Sequence, residues 1–411
     1  MNTVEQRFPT GDPITVADLL HSVGAEPDGG RLRVGDDRVV TFFVNFARRL
    51  LRPALARRYP ELASLGFFLR RGQIGKVLDR VADERGQHRF PRGLVFHVPP
   101  ANVDTIFVYS WAMSALAGNP NIVRISPRSA GAATAVLDAL NETLIDAHPA
   151  IRQTQRMVTY DRDDAVTAAL SAAADLRVIW GGDVSIEQIR RHPLAPHARD
   201  LAFPDRSSFT VISADGWSAA PPAARDLAAL GFYNDSYWFD QAACASTRAT
   251  YWIGQPAAVA AARKDFMCRL GAVIDSKRPT IDAAMAIEKR VATYGLAVDG
   301  VATAIAFTGN ALATAELVAP EAIPRRWLGT GTFPQSQVVS LMDLVPVVQR
   351  RDQTVTHFGF AEDELVSFAL ALAGRGVDRL VPIGEALSFA AIWDGYDLIR
   401  EFTRLTIVQS R

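Results

Sequence analysis

From Phe90 onward the chain alternates short, almost wholly apolar runs with longer segments whose apolar positions recur every three or four residues. "RGLVFHVPPANV" holds such a run, Leu94 to Val98, stopped by Pro99 and Pro100. It predicts a buried strand, since proline cannot donate to a sheet ladder. "DTIFVYSWAMSALAG" has helical length and closes on Gly118, a residue suited to the left-handed turn that ends helices. "NPNIVRISP" predicts a second strand, and "RSAGAATAVLDALNETLIDA" a second helix. Two strand and helix units in a row predict a parallel sheet of the dinucleotide-binding kind. "DLRVIW" continues as a strand into "GGDVSIEQIRR", where Gly181 and Gly182 precede a helix. The unpaired amides and dipole of that helix start would suit a phosphate, although Gly-Gly turns before helices are common in any context.

Elsewhere the pattern is less regular. Residues 1 to about 60 mix short alternating segments such as "RLRVGDDRVVTFFV" with helical ones and look like a lead-in with little chemistry. After "RHPLAPHARDLAF" the strand "SSFTVIS" opens a second domain, and the Ala-rich stretch from 255 to 320 reads as helical. No internal repeat or low-complexity linker interrupts the chain.

Composition narrows the partner. The 411 residues are 49% hydrophobic and 21% charged, enough for a large core and two domains. Forty-four basic and 44 acidic residues cancel, so no global field draws the protein to nucleic acid or an anionic membrane. A small-molecule partner is expected. The longest apolar run, around "TIFVYSWAMSALAG", is too short for a bilayer, and the first residues lack a signal architecture. With only Cys244 and Cys268, no disulfide framework or Cys-rich zinc site can form, which fits a reducing, cytoplasmic setting.

Cys244 stands in "YNDSYWFDQAACASTRATYW", among small residues between two aromatic clusters. Cysteine is usually a small buried hydrophobe. A sulfur nucleophile instead needs a loop with open backbone amides nearby, and "QAACAST" offers one. Cys268, in the helical "RKDFMCRLGAV", keeps the plain reading. None of the seven histidines has metal-ligand spacing, so no metal is expected. His192 and His197 flank prolines in a surface loop, while His97, inside an apolar strand, reads as a satisfied core residue.

"DQAACASTR" resembles the Gln-x-x-Cys nucleophile segment of the aldehyde dehydrogenase superfamily. "VPPANVDTIFVYSWAMSALAGNPNIVRISPRSAGAATAVLDAL" resembles that superfamily's Pro-x-Asn loop, its helix ending in Gly-Asn and its strand ending in a basic residue. More narrowly, "DQAACASTRATYW" with "GVDRLVPIGEALSFAAIWDGYDLI" is similar to the acyl-CoA reductases of the bacterial bioluminescence type, over roughly residues 65 to 411. The resemblance implies an α/β, aldehyde dehydrogenase-like fold. A lead-in and Rossmann-type cofactor domain would span 1–205, and an α/β catalytic thiol domain 206–370. A segment 371–411 would return to the cofactor domain or to a neighbouring subunit of a homo-oligomer. It further implies that Cys244 attacks the carbonyl of an acyl-CoA or acyl-protein thioester, with an acyl-protein synthetase as partner. Asn102 falls at the oxyanion asparagine, whose amide would act with the Cys244 backbone amide.

For the cofactor, Arg124 takes the place of a binding lysine, Ser126 follows it, and Gly181 and Gly182 match the loop under the phosphates. NAD-preferring relatives carry a carboxylate just beyond this strand, where this chain has Pro127 and Arg128. An arginine pairs with a 2′-phosphate and a carboxylate repels it, so NADPH is the expected cofactor; Arg128 as a solvated helix-start residue is the plain alternative. Asp394 and Tyr396 of "WDGYD" match the family's C-terminal motif, with packing near the cofactor as their default role. Oxidative relatives place a glutamate ahead of the nucleophile strand, and "RDLAFPDRSSFTVIS" has none; Asp205 is the nearest carboxylate, and reads as a turn residue. An oxidative aldehyde dehydrogenase and a non-catalytic nucleotide- or acyl-binding descendant remain the alternatives.

Overall fold

The computed structural model describes residues 2–84, 86–100 and 106–409. The chain divides into two compact units, Met1–Pro204 with Phe389–Arg411, and Asp205–Ser388. Both are α/β.

The first unit contains β1 (Thr3–Phe8), β2 (Thr10–Thr15), β3 (Gln87–Pro91), β4 (Val95–Val98), β5 (Asn121–Ile125), β6 (Gln155–Thr159), β7 (Leu176–Trp180) and β8 (Arg199–Phe203). Seven form one sheet in the order β2-β1-β6-β5-β4-β7-β8. Strands β4 to β8 run parallel, and β1 is antiparallel to both β6 and β2. The apolar runs are strands because they are covered: every residue of β4 and β7 is buried, as is every residue of the helix Ile106–Leu116. Gly118 ends that helix at φ +84, where a Cβ would lie 2.6 Å from the Arg33 backbone. Chain order reverses between β4 and β7, so loops leave the C-terminal edge in opposite directions there.

Residues 31–44 depart from the alternating reading given to them. Residues 37–50 form the helix Asp37–Leu50, started by the Asp36 carboxylate, which accepts from Arg38 N. Val39, Val40, Phe43, Phe46, Ala47 and Leu50 share its buried face, a spacing of three and four. The lead-in thus supplies to the first unit two strands and, with the helix Val16–Gly24, two helices that bury an apolar face.

The second unit has β9 (Ser207–Ser213), β10 (Thr247–Ile253), β11 (Ala302–Thr308), β12 (Leu312–Leu317), β13 (Thr332–Val338), β14 (Asp352–Phe358) and β15 (Arg379–Pro382), in the order β11-β12-β13-β10-β9-β14-β15. All neighbours are parallel except β11 and β12. The helices Pro222–Tyr237 and Pro256–Lys277 cover one face, where Phe232 and Phe266 pack with Trp217 of the helix Ala214–Ala219 and Trp252 of β10. The Ala-rich stretch is helical through Ala283–Val298, and then the expectation fails. Residues 302–317 are a hairpin turned at Gly309, φ +61. Small Ala and Thr side chains suit either structure, and the glycine turn with pairing to β13 decides for strand.

Residues 371–388 belong to this unit, since β15 closes its sheet. From Phe389 the chain is part of the first unit, with β16 (Ile392–Trp393), β17 (Tyr396–Asp397) and β18 (Thr403–Ile407), the last antiparallel to β3. The "WDGYD" motif is the β16–β17 hairpin, turned at Asp394 and Gly395. Trp393 packs on Tyr109 and Phe389, Tyr396 meets Phe203 edge-on, and Asp397 accepts from Arg80 at 2.9 Å. The ring contacts are packing, and the last is an ion pair. Among the described residues no helix is long and apolar enough to cross a membrane.

Beneath β4 and β5 runs a buried polar network. Asn121 Nδ2 donates to Asn119 O and Gln155 Oε1, so its Oδ1 is left to accept from His97 Nε2 at 2.9 Å. His97 Nδ1 then accepts from the Ser110 hydroxyl at 2.9 Å. Full burial pushes the imidazole down to about 4. The unfolded chain takes up this proton near pH 6.5, the folded protein only near 4, so the contribution is whole above 6.5 and lost as pH falls toward 4. His97→Gln, which keeps one donor and one acceptor, should therefore reduce the stability lost between pH 7 and 4.5 by about 2–3 kcal/mol. Urea unfolding at both pH values checks this, and an unaltered acid loss would count against it.

Candidate active site

Cys244 lies in a tight turn between the helical segment Trp238–Gln241 and β10, half-buried, off the N-terminal edge of a central strand. Its neighbours Ala243, Ala245 and Ser246 are buried, so the small residues of "AACAS" let the turn lie against the sheet. The Cys244 carbonyl accepts from Ser208 Oγ at 2.7 Å, and that oxygen accepts from Thr354 N at 3.1 Å. One hydroxyl thus ties the turn to β9 and β14. Arg248 Nη2 donates to Ala242 O at 3.3 Å, and its Nη1 stands 3.9 Å from the Asp205 carboxylate.

The approach to this turn is unusual. Phe239, Asp240 and Gln241 all have positive φ, at 53, 52 and 59°. Side chains with a Cβ rarely adopt this region, at about 1–3 kcal/mol each, and it persists only where the surroundings hold it. Gln241 supplies the hold. Its Nε2 donates to Thr247 O at 2.7 Å and Thr332 O at 3.1 Å, while its Oε1 accepts from Gly331 N at 2.8 Å and Thr332 N at 3.2 Å. At about 0.5–1.5 kcal/mol each, four such bonds are of the size needed. The Asp240 carbonyl accepts from Trp327 Nε1 at 2.8 Å and Thr330 Oγ1 at 3.2 Å. Burial, and then the charge of Asp282, raise the Asp240 carboxyl above its ordinary range.

In the first unit the expected cofactor residues meet on one sheet edge. β5 and β7 flank β4, so Ser126 and Gly181 with Gly182 leave the C-terminal edge on either side of it. Gly182 is the N-cap of the helix Asp183–Arg190 and offers its amides no side-chain cap; a Cβ there would meet nothing within 4 Å. Arg124, in β5, stacks its guanidinium 4.8 Å from the Tyr160 ring centre. Its Nε is buried without a partner among the described residues, as is the indole nitrogen of Trp180 at the end of β7. Trp180 lies flat on Phe203, ring centres 3.7 Å apart. Ser126 Oγ accepts from Arg128 N at 3.2 Å, and the Arg128 side chain is exposed. Asn102 lies outside the described residues. Among the described residues no cluster of His, Cys, Asp and Glu could hold a metal.

Sequence reasoning passed over Ser208, Lys289 and the work of Gln241. Gln241 was in view within "DQAAC". Lys289 had a signal: Ala286, Lys289, Thr293 and Leu296 follow helical spacing, and all four are buried.

A family model described as acyl-CoA reductase (LuxC) matches residues 72–405. The long-chain acyl-protein thioester reductase 2 of Photobacterium leiognathi is 30% identical over 167 residues, 40% of this chain and 33% of that protein. The long-chain acyl-protein thioester reductase of Vibrio harveyi is 31% identical over 169 residues, again 40% and 33%. The matched stretch thus covers about a third of each curated relative's length. Among solved structures, aldehyde dehydrogenase 21 of Physcomitrella patens, in complex with succinate, gives a TM-score of 0.68 at 11% identity, covering 99% of this chain and 94% of that one. An NAD-dependent aldehyde dehydrogenase of Sinorhizobium meliloti gives 0.67 at 13%, covering 96% and 86%. At such identities the likeness is one of fold, and the fold is that of the aldehyde dehydrogenases. The match over residues 72–405 carries the finer assignment: the chain belongs to the acyl-CoA reductase (LuxC) family.

Proposed function

We propose that the protein reduces a fatty acyl thioester, from CoA or an acyl-protein, to an aldehyde through an acyl group carried on Cys244, with NADPH as the reductant. The observation that carries this reading is the built turn around Cys244: a half-buried thiol whose main chain is fixed from three strands and a left-handed approach. A filler cysteine needs none of this. Family membership and the thioester reductases among its relatives agree with it.

In the proposed reaction the Cys244 thiolate attacks the thioester carbonyl, and the negative charge passes to oxygen. The Asn102 side-chain amide and the Cys244 backbone amide are the proposed donors to that oxygen. Collapse breaks the bond to the donor's sulfur, which leaves as a thiolate and takes up a proton, and the acyl group stays on Cys244. A reduced nicotinamide, when bound, supplies the hydride. Cys244 then leaves as a thiolate from the reduced carbon, the aldehyde departs, and the enzyme is restored. Hydrolysis would need a base to activate water. Asp205, the carboxylate that the sequence offers, has Arg248 3.9 Å away as a cationic neighbour.

The edge formed by β4, β5 and β7 fits a dinucleotide in its own right. The uncapped amides at Gly182 suit a pyrophosphate, and Arg124 and Trp180 have buried donors to give. Arg128, exposed with no carboxylate at the adjoining sequence positions, is the proposed partner of a 2′-phosphate.

Incubation with radiolabelled acyl-CoA in the absence of NADPH should leave label on the protein that neutral hydroxylamine releases. Cys244→Ala should abolish labelling and Cys268→Ala, on the exposed face of its helix, should not. Equal labelling of the Cys244 variant would overturn the assignment.

Cofactor preference offers an independent check. A charge-assisted pair with the 2′-phosphate is worth about 1.5–3 kcal/mol, or roughly ten- to a hundredfold in kcat/KM for NADPH over NADH. Arg128→Glu should erase that preference while leaving kcat with NADH within about twofold. A parent enzyme that favours NADH would refute the NADPH reading alone and leave the thiol chemistry standing.

A further inference from the structure

Lys289 is a buried cation, 1% exposed, on the inner face of the helix Ala283–Val298. Burying an ammonium is costly unless its donors are met. Here they are met without an acid, for among the described residues no carboxylate pairs with it. Its Nζ donates to Asn310 O at 3.0 Å, Thr330 O at 2.8 Å and Gly331 O at 3.2 Å. Three donors face three carbonyls. Burial, and then the neighbouring Arg290, push the amine down to about 7, so the ammonium that these carbonyls accept from is the form present below that pH.

Two of those carbonyls belong to peptide groups already described from their other side. The peptide that offers Thr330 O to Lys289 carries Gly331 N, which donates to Gln241 Oε1 at 2.8 Å. The next peptide offers Gly331 O to Lys289 and Thr332 N to the same Oε1, at 3.2 Å each. Two successive peptide groups therefore stand side by side, each with its carbonyl on the ammonium and its N–H on the amide oxygen that holds the turn before Cys244. A positive charge at the carbonyl end strengthens the amide end as a donor. The backbone is shaped for the purpose. Gly329 and Gly331 have φ of +96 and +70, and a Cβ on Gly329 would lie 2.9 Å from Lys289 Cβ, one on Gly331 2.0 Å from Ala311 O. "LGTGT", residues 328–332, wraps the lysine on one side and presents amides on the other.

We propose that Lys289 is a positioning residue for Cys244, acting through the peptide groups of Thr330 to Thr332 and the Gln241 side chain. The inference rests on the acyl-enzyme reading for its catalytic meaning, but not for its geometry. Without the ammonium, the two peptides lose the charge that orients them, Gln241 loses strength in its acceptor bonds, and the left-handed run relaxes. The thiol is then displaced from its proper place while substrate binding is little changed.

The experiment compares the parent with Lys289→Met, Gln241→Met and the double variant, in the full chain at about pH 6, where Lys289 is charged. The rate of alkylation by iodoacetamide is followed at each thiol by peptide mass spectrometry, and kcat and KM are measured with acyl-CoA and NADPH. Exposed Cys268 serves as an internal control in every sample. Lys289→Met should change the Cys244 alkylation rate and lower kcat by about tenfold, the size of one charge-assisted hydrogen bond, with KM and the Cys268 rate within about twofold. Gln241→Met, which removes four bonds, should change the Cys244 rate and kcat further in the same direction. Because the two residues form one path, the double variant should be no worse than the poorer single variant. Additive effects, an unchanged Cys244 rate in Lys289→Met, or a parallel change at both thiols would each overturn the proposal. Failure of the acyl-enzyme reading shows separately, as persistent acyl labelling of Cys244→Ala, and leaves the alkylation arm intact.

Discussion

The Gln241 side-chain amide uses its whole hydrogen-bonding capacity inside the protein, two donors and two acceptor sites on one planar group. Its partners come from the start of β10 and the start of β13, so one side chain fixes both strand entries and the turn before Cys244. Only asparagine carries the same amide, on a stem one carbon shorter. A glutamate would bring a charge and no donors, and a methionine would leave four buried backbone groups unpaired, at about 1–3 kcal/mol each. The three consecutive left-handed residues are therefore a conformation imposed by tertiary contacts rather than one that local sequence prefers.

The candidate residues of the two units lie at opposite ends of their strands. In the first unit, candidate residues lie where parallel strands end and helices begin, the place where backbone amides point outward and chain order reverses. In the second, Cys244 lies where a central strand begins, and here no helix start supplies the amides. The turn itself must be shaped, and the shaping falls to hydroxyls and amides: Ser208 under the carbonyl of Cys244, Thr210, Thr247 and Thr356 in a buried chain beneath, and Gln241 beside it. The price is a polar interior, and it is met almost wholly by uncharged groups that satisfy one another.

Legibility followed burial. Strands β4, β5 and β7 read clearly because strands covered on both faces must be apolar throughout, and the glycines that end the intervening elements carry their own signal. The fold class was accessible for that reason, and Cys244 stood out as a candidate because small residues leave backbone amides open around it and because its segment carries the family resemblance. The hairpin of β11 and β12 was hidden, since "ATAIAFT" and "LATAEL" have side chains too small to declare a period. Residues 37–50 were hidden by the short alternation that precedes them. The left-handed approach was invisible because Phe, Asp and Gln do not announce positive φ as glycine does. Lys289 was missed through the ordinary assumption that lysines are solvated. Asp394 and Tyr396 match a motif whose default role was packing; Asp394 stands in the turn of the hairpin and Tyr396 meets Phe203 edge-on.

The first unit is assembled from two stretches far apart in sequence. Residues Asp205–Ser388 interrupt it, and β18 returns to pair with β3 while Asn119 donates to the Phe402 carbonyl in the interior. On a ribosome this imposes a schedule. At about 5–20 residues per second, the 184 residues of Asp205–Ser388 take roughly ten to forty seconds to emerge, and only afterwards can the last strand reach its place. Throughout that interval β3 has an open edge and Asn119 a donor awaiting Phe402, while the interrupting unit has its complete sequence first. Nascent chains should thus spend their most vulnerable period with the earlier-made unit unfinished, and a chaperone's point of engagement would be its unsealed N-terminal strands.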